Sequence, residues 1–301
     1  MATATMPVRR PRRWYQKPDR WRTVLIYVCF TLMAVWVLAP LWFAVHSSFS
    51  NPIEMAQRPP NWIPANPTLD NYIAVFTSAT DESGQYTSEQ DGRMLTALFW
   101  SFAIGTVVAL SNVIIGGLAG YAYSRHRFPG SRSGYFFLLA SRVVPGIAII
   151  LPFFFLFRIA GLIDSPWALI ISYNIFTLPL AIWLLKSYFD TLPIEIEEAA
   201  FVDGASRLRT IWVIVRPIAR PGLVATGLLI FLESWSEFFY ALVLTNQLTV
   251  PPLLAGYTNL QTFTPNTLMA ATVISLIPPI ALAVIFQRYI VSGLSTGAVK
   301  S

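Results

Sequence analysis

Charge is scarce in this sequence: Asp, Glu, Lys and Arg together make up 12% of its 301 residues, while 55% are hydrophobic. That balance excludes an ordinary soluble domain of this length, which needs a charged and polar exterior. Cysteine is nearly absent as well. Cys29 stands alone inside an apolar run, so no disulfide can form within the chain, and it reads as a small packing residue. Two histidines, His46 and His126, are isolated from other ligand types, too few for a metal site. No Gly-x-x-x-x-Gly-Lys phosphate loop, nucleophile elbow or His-Glu-x-x-His pattern occurs, so the chain is not expected to be an enzyme in itself. Neither the alternating segments of a membrane barrel nor an internal repeat is visible.

What the sequence has instead is long apolar runs. Six stretches, about 24–45, 95–120, 135–157, 166–185, 222–244 and 268–290, are long enough to cross the hydrocarbon core as helices, which need about 20 residues. In lipid the backbone must satisfy its own hydrogen bonds, so an all-α polytopic membrane fold is expected. The first run is too long for a cleavable signal and ends in Ala39-Pro40-Leu41-Trp42 rather than at a small-residue cleavage site, so it reads as a retained span.

Positive charge is distributed unevenly among the connections. Seventeen Lys and Arg fall in the segment before the first run, the loops 121–134 and 186–221 and the tail, against Arg58, Arg93 and Arg158 on the opposite side. Cytoplasmic loops carry the excess, which places both termini in the cytoplasm. The net charge of +6 therefore reports orientation rather than nucleic-acid binding. The expected organisation is a basic cytoplasmic segment 1–23, a six-helix domain 24–290 and a tail 291–301. Within the domain lie a long external loop 46–94, read as a small cap or a plain spacer, and a cytoplasmic segment 186–220. Gly116 and Gly120 form a Gly-x-x-x-Gly pattern suited to close helix contact.

The segment 186–220 contains Pro193, then Glu195, Glu197 and Glu198, the small residues Ala199 and Ala200 between apolar neighbours, and the turn pair Asp203-Gly204. Acids near a helix start are favoured by its dipole, and glycine supplies the positive φ of a turn. The pattern predicts a short helix, a turn and a second helix. Its small-residue centre with apolar shoulders suits a groove on a partner, although a solvated or lipid-lying helix fits the same pattern.

Glu198-Ala199-Ala200, three residues, Gly204, nine residues, Ile214 and Pro217 resemble the EAA motif of ABC importer permeases, with Arg216 where that family usually has Leu. Asn66-Pro67-Thr68-Leu69-Asp70-Asn71-Tyr72, Trp235-Ser236-Glu237-Phe238 and the stretch from Gln287 to Lys300 are similar to segments of the MalG-like permease subunits of carbohydrate importers. Residues 77–93 look like an insertion. The resemblance implies the type I importer permease fold in a bacterial or archaeal plasma membrane. It also implies docking of a partner ATPase through Glu198, Ala199, Ala200, Asp203 and Gly204, and contact of the tail with that ATPase through Gly293 and Gly297. The implied partners are a second permease subunit, two ATP-binding cassette ATPases that hold the ATP and Mg, an extracytoplasmic solute-binding protein, the lipid bilayer and a small sugar. No cofactor on this chain and no nucleic acid are implied.

Ionisable residues within spans usually face a bundle interior or a wet path. Glu233 and Glu237, four apart on the fifth run, are therefore expected to share a helix face and to line a solute path or to bond neighbouring helices. Tyr173, Asn174 and Thr177 put polar groups midway along the fourth run, where solute contact and helix–helix bonding are equally consistent. Arg142 is expected to reach the interface on its long stem. An ion-coupled transporter is the main alternative, and within the importer class glycerol-3-phosphate is an alternative solute.

Overall fold

The computed structural model describes residues 20–51, 54, 61, 63–77, 90, 92–246, 249–258 and 265–298, with side chains described as far as Tyr289. The segment before Arg20 and most of 77–93 lie outside these residues. Every described element is helical. In chain order they are α1 (Arg20–Phe49), α2 (Asp70–Phe76), α3 (Met94–Arg125), α4 (Ser131–Ala140), a 3-10 turn (Ser141–Val143), α5 (Gly146–Ile159), α6 (Pro166–Phe189) and α7 (Glu195–Val202). A long helix, α8, spans Arg207–Trp235, followed by α9 (Phe239–Leu244), α10 (Val250–Gly256) and α11 (Pro265–Ala298).

Five helices, α1, α3, α6, α8 and α11, are long and apolar enough to cross a bilayer, and α4 with α5 make a sixth span if counted together. The third expected span is not one straight helix. Its two halves meet at 95°, because Val144 precedes a proline and takes an extended conformation (φ −68°, ψ 118°), as residues before proline tend to do. The fifth run also differs from its expected bounds. It begins at Arg207, passes Pro217 and Pro221, and stops at Trp235. A π turn over Thr210–Val215 widens the helix just before Pro217, whose ring would otherwise crowd the carbonyl one turn back.

The helices assemble around α6, half of whose most apolar stretch is buried, whereas none of that stretch in α1 is. The central core joins Ile104 and Val108 of α3, Leu169 and Tyr173 of α6, and Ile230 and Phe231 of α8. Helices α3 and α6 approach closely at the two glycines. A Cβ on Gly116 would sit 2.9 Å from the Cβ of Ala181, and one on Gly120 would sit 2.9 Å from the backbone nitrogen of Lys186. The close contact read from the Gly-x-x-x-Gly spacing is therefore present.

Helices α5 and α6 are joined by a tight turn, as their short separation implies. Gly161 and Asp164 both take positive φ there (68° and 62°), and Asp164 accepts a hydrogen bond from the Asn246 amide (2.8 Å). At the same end of the bundle, Asn71 of α2 donates its amide to the carbonyls of Ser48 (3.0 Å) and Ser50 (2.9 Å), and Asn266 of α11 donates to that of Ser50. The segment Asp70–Phe76 thus folds back on the end of α1.

Candidate functional site: the α7 segment

At the opposite end, α7 is an eight-residue helix with Glu195, Glu197 and Glu198 in its first turn. Eight residues are too few for a stable isolated helix, so α7 depends on what holds it at each end. Its C-terminus closes as a Schellman motif: Gly204 donates to the Phe201 carbonyl (3.1 Å) and Ala205 to that of Ala200 (2.9 Å), with Gly204 at φ +82°. The next helix begins at Ser206, whose hydroxyl accepts the Arg209 amide (3.4 Å). The expected helix–turn–helix is what forms.

Glu197 and Ala200, three apart, point inward and are buried. The Glu197 carboxylate accepts the Arg125 Nε–H at 2.7 Å on one oxygen and the Tyr121 hydroxyl on the other. Arg125 also donates to the Leu192 carbonyl (3.0 Å). The ion pair is well enclosed, its side chains being 9% and 6% exposed. Beside it, Ser124 donates to Asp190 (2.6 Å), which also accepts from Lys186 (2.7 Å). Below lies an apolar cluster of Tyr121, Leu185, Phe189, Val215 and Ala219. Charged groups placed this deep need paired, hydrogen-bonded partners, and this carboxylate has them. Helix α7 is therefore bolted to the end of α3.

The outward face is different. Glu198, Ala199, Asp203 and Gly204 are exposed, beside the apolar side chains of Ile194, Phe201, Leu208 and Val202, the last 87% exposed. Of the five residues expected to dock a partner, four lie on this open face. Ala200 does not; it turns into the chain's own body, 6% exposed, because its spacing from Glu197 places it on the latched side. Glu197 was legible only as one of three acids at the helix start, and Tyr121 was not singled out by sequence. Arg125 registers there as one more positive loop charge, and no periodicity links residues 72 positions apart.

Residues 112–296 match the family described as "Binding-protein-dependent transport system inner membrane component". The chain belongs to this family. Relatives extend the match to most of its length. It is 34% identical to the trehalose/maltose transport system permease protein MalG of Thermococcus litoralis, over 93% of this chain and 97% of that one. It is 35% identical to the trehalose transport system permease protein SugB of Mycobacterium tuberculosis, over 79% and 84%. Among solved structures, a bacterial ABC transporter involved in the import of the acidic polysaccharide alginate aligns over 92% of this chain and 99% of that chain with a TM-score of 0.67, at 24% identity. That likeness shows the fold: this is a multi-pass importer-permease architecture.

In this binding-protein-dependent permease, the polar residues of α6 are largely engaged within the chain. Asn174 accepts from Ser111 (2.7 Å) and Asn112 (2.9 Å) of α3 and donates to the Ile170 carbonyl (2.8 Å). Thr177 donates to the Tyr173 carbonyl (2.7 Å), and Tyr173 is buried. Glu233 and Glu237 do not share a helix face, because α8 ends at Trp235. Glu237 lies beyond that end and accepts the amides of Tyr240 (3.0 Å) and Ala241 (3.2 Å), starting α9. Arg142 does not stand alone as an interface residue; it pairs with Glu233 at 3.4 Å. Gly293 and Gly297 lie on α11, which continues to Ala298 without a break at 290.

Proposed function

We propose that this chain is one of two permease subunits of an ATP-driven, binding-protein-dependent importer of di- or oligosaccharides. The chain supplies no ATPase; hydrolysis belongs to two cassette subunits that grip α7, while an extracytoplasmic protein delivers the solute. The sugar class is supported by relatives named for trehalose/maltose, trehalose and maltodextrin transport. The positive-charge asymmetry of the loops supports cytoplasmic termini, which puts α7 on the side where ATP is found.

The observation that carries the reading is the two-sidedness of α7. Phe201 and Val202, with Leu208 of α8 beside them, form an exposed apolar patch of the kind that a partner's groove covers. Rigid attachment through Glu197 to Arg125 lets displacement of α7 reach α3. A rigid-body change between inward- and outward-open states then follows from closure of the ATPase pair.

Cross-linking tests this in the reconstituted transporter. With Cys29→Ser removing the native thiol, Val202→Cys is expected to cross-link to an ATPase subunit. Glu198→Lys and Gly204→Asp are expected to abolish sugar uptake and binding-protein-stimulated ATP hydrolysis while both permeases remain assembled in the membrane. Failure of Val202→Cys to reach any ATP-binding subunit, with unchanged uptake in the two variants, would overturn the proposal.

A further inference from the structure

Two of the long helices break, and the breaks meet. Between α4 and α5 the chain turns by 95° over Val144 and Pro145. Between α8 and α9 it is interrupted over Ser236–Phe238. The breaks are tied together at two points: Tyr240 donates its hydroxyl to the Gly146 carbonyl (2.8 Å), and Arg142 pairs with Glu233 (3.4 Å).

The pair lies well along the third span from its Ser131 end. Arg142 lies 11 residues into the α4 arm from Ser131, about 17 Å of helix at 1.5 Å per residue, against a hydrocarbon core of about 30 Å. The pair is also open: its side chains are 36% and 42% exposed, and Ser141 and Ser236 beside it are exposed as well. The α7 latch, by contrast, is sealed. Charged groups facing lipid at mid-depth are strongly disfavoured, and irregular backbone at that depth is tolerated only where protein covers it or water reaches it. An open ion pair at two joined helix breaks within a span meets both conditions on a water-filled path.

We propose that Arg142 and Glu233 form a solute-contact site on the wall of that path, for a neutral polyhydroxylated solute. The guanidinium donates to, and the carboxylate accepts from, adjacent hydroxyls of a saccharide. Among the described residues the pair makes a single 3.4 Å contact, so the remaining donors and acceptors of both groups can turn toward the solute. The ligand class rests on the sugar-importer reading; the location of the site rests on the breaks and the pair.

The test uses the complete transporter in proteoliposomes, with saturating binding protein and radiolabelled trehalose or maltose. Arg142→Gln and Glu233→Gln are each expected to lower maximal uptake about tenfold or more, the loss of a charge-assisted hydrogen bond to the moving solute. The exchanged pair, Arg142→Glu with Glu233→Arg, restores the ion pair but reverses donor and acceptor, so it is expected to assemble normally and to remain defective. In a Cys29→Ser background, Ser141→Cys is expected to react with a membrane-impermeant thiol reagent and to be protected by sugar. Wild-type uptake in the exchanged pair would reduce Arg142 and Glu233 to a brace between the breaks and overturn the site. Absence of labelling in every nucleotide state would overturn the path. Unaltered uptake in the single variants of an active complex would overturn the contact alone, whereas a wild-type complex that imports no saccharide overturns the sugar reading and the ligand class with it.

Discussion

Replacing Glu197 by alanine should unbolt α7 from the membrane helices without touching its exposed face. The substitution removes the carboxylate that accepts from both Arg125 and Tyr121. A buried ion pair broken on one side typically costs about 3–5 kcal/mol, because the remaining charge is left uncompensated. Here the guanidinium keeps the Leu192 carbonyl at 3.0 Å and the Ser124 hydroxyl at 3.3 Å, which argues for the lower end, about 3 kcal/mol. The loss falls locally, since α7 has eight residues and little helical stability of its own. At 1.4 kcal/mol per tenfold, about 3 kcal/mol raises the detached population by roughly a hundredfold. Hydrogen exchange of the amides from Glu198 to Ala205 in the reconstituted complex measures that population. The same preparation should show ATP hydrolysis poorly matched to sugar uptake, because the ATPases would move a helix no longer fastened to α3. Glu197→Gln, which keeps an acceptor in place, should be milder. Exchange rates within about threefold of wild type, with coupled uptake intact, would refute the assignment of Glu197 as the fastening.

The two glycine contacts predict opposite outcomes on rescue. Gly116→Ala should lower thermal stability by about 1–3 kcal/mol through overpacking, and Ala181→Gly should recover most of it, because the obstruction is the Ala181 methyl at 2.9 Å. Gly120→Ala should be as damaging but not rescued from the facing side chain, since it meets the Lys186 backbone. Gly204→Ala places a Cβ in open space at φ +82°, so its cost is conformational alone, about 1–2 kcal/mol; Gly204→Asn should cost less, and both are read from local exchange in the α7 segment. Asn174→Leu removes its bonds to Ser111 and Asn112. Such membrane hydrogen bonds average about 0.6 kcal/mol, so only a small drop in melting temperature is expected. A large uptake defect at normal stability would instead place Asn174 on the solute path.

The sequence carried the long helices and the α7 helix with its turn because each is encoded locally. Apolar length marks α1, α3, α6 and α11, and the order of acids, alanines, Asp203 and Gly204 marks α7 and its cap. The interruptions were less legible. Pro145, Pro152, Pro179, Pro278 and Pro279 all lie in apolar stretches, yet only near Pro145 does a span fold by 95°, while Pro152, Pro179, Pro278 and Pro279 lie inside continuous helices. A proline alone removes one hydrogen bond; whether the helix continues depends on what neighbouring elements supply. The second break has no proline to mark it. It follows from a side chain, since Glu237 takes the amides that begin α9, and nothing in a four-residue spacing distinguishes a shared face from a helix end.

The long-range fastenings escaped the sequence for a related reason, and they decide how force would travel. Arg125 and Glu197 pair across 72 positions and Ser111 and Asn174 across 63, and in each case one partner reads alone as a loop charge or a stray polar group. Together they turn separate helices into one lever. The buried pair fixes α7 to α3, Gly116 and Gly120 let α3 lie directly on α6, and the Asn174 bonds lock that contact at mid-height. Close-packed contacts of this kind transmit displacement rather than absorb it. The α8 side is built differently, with a π turn at Thr210–Val215 just beyond the Asp203-Gly204 turn. A push on α7 would therefore reach α3 and α6 as a unit, while the start of α8, before it packs on them at Val215 and Ala219, has a turn in which to yield. Relative movement between the α4 arm and α8 is what would separate Arg142 from Glu233, since each carries one member of the pair.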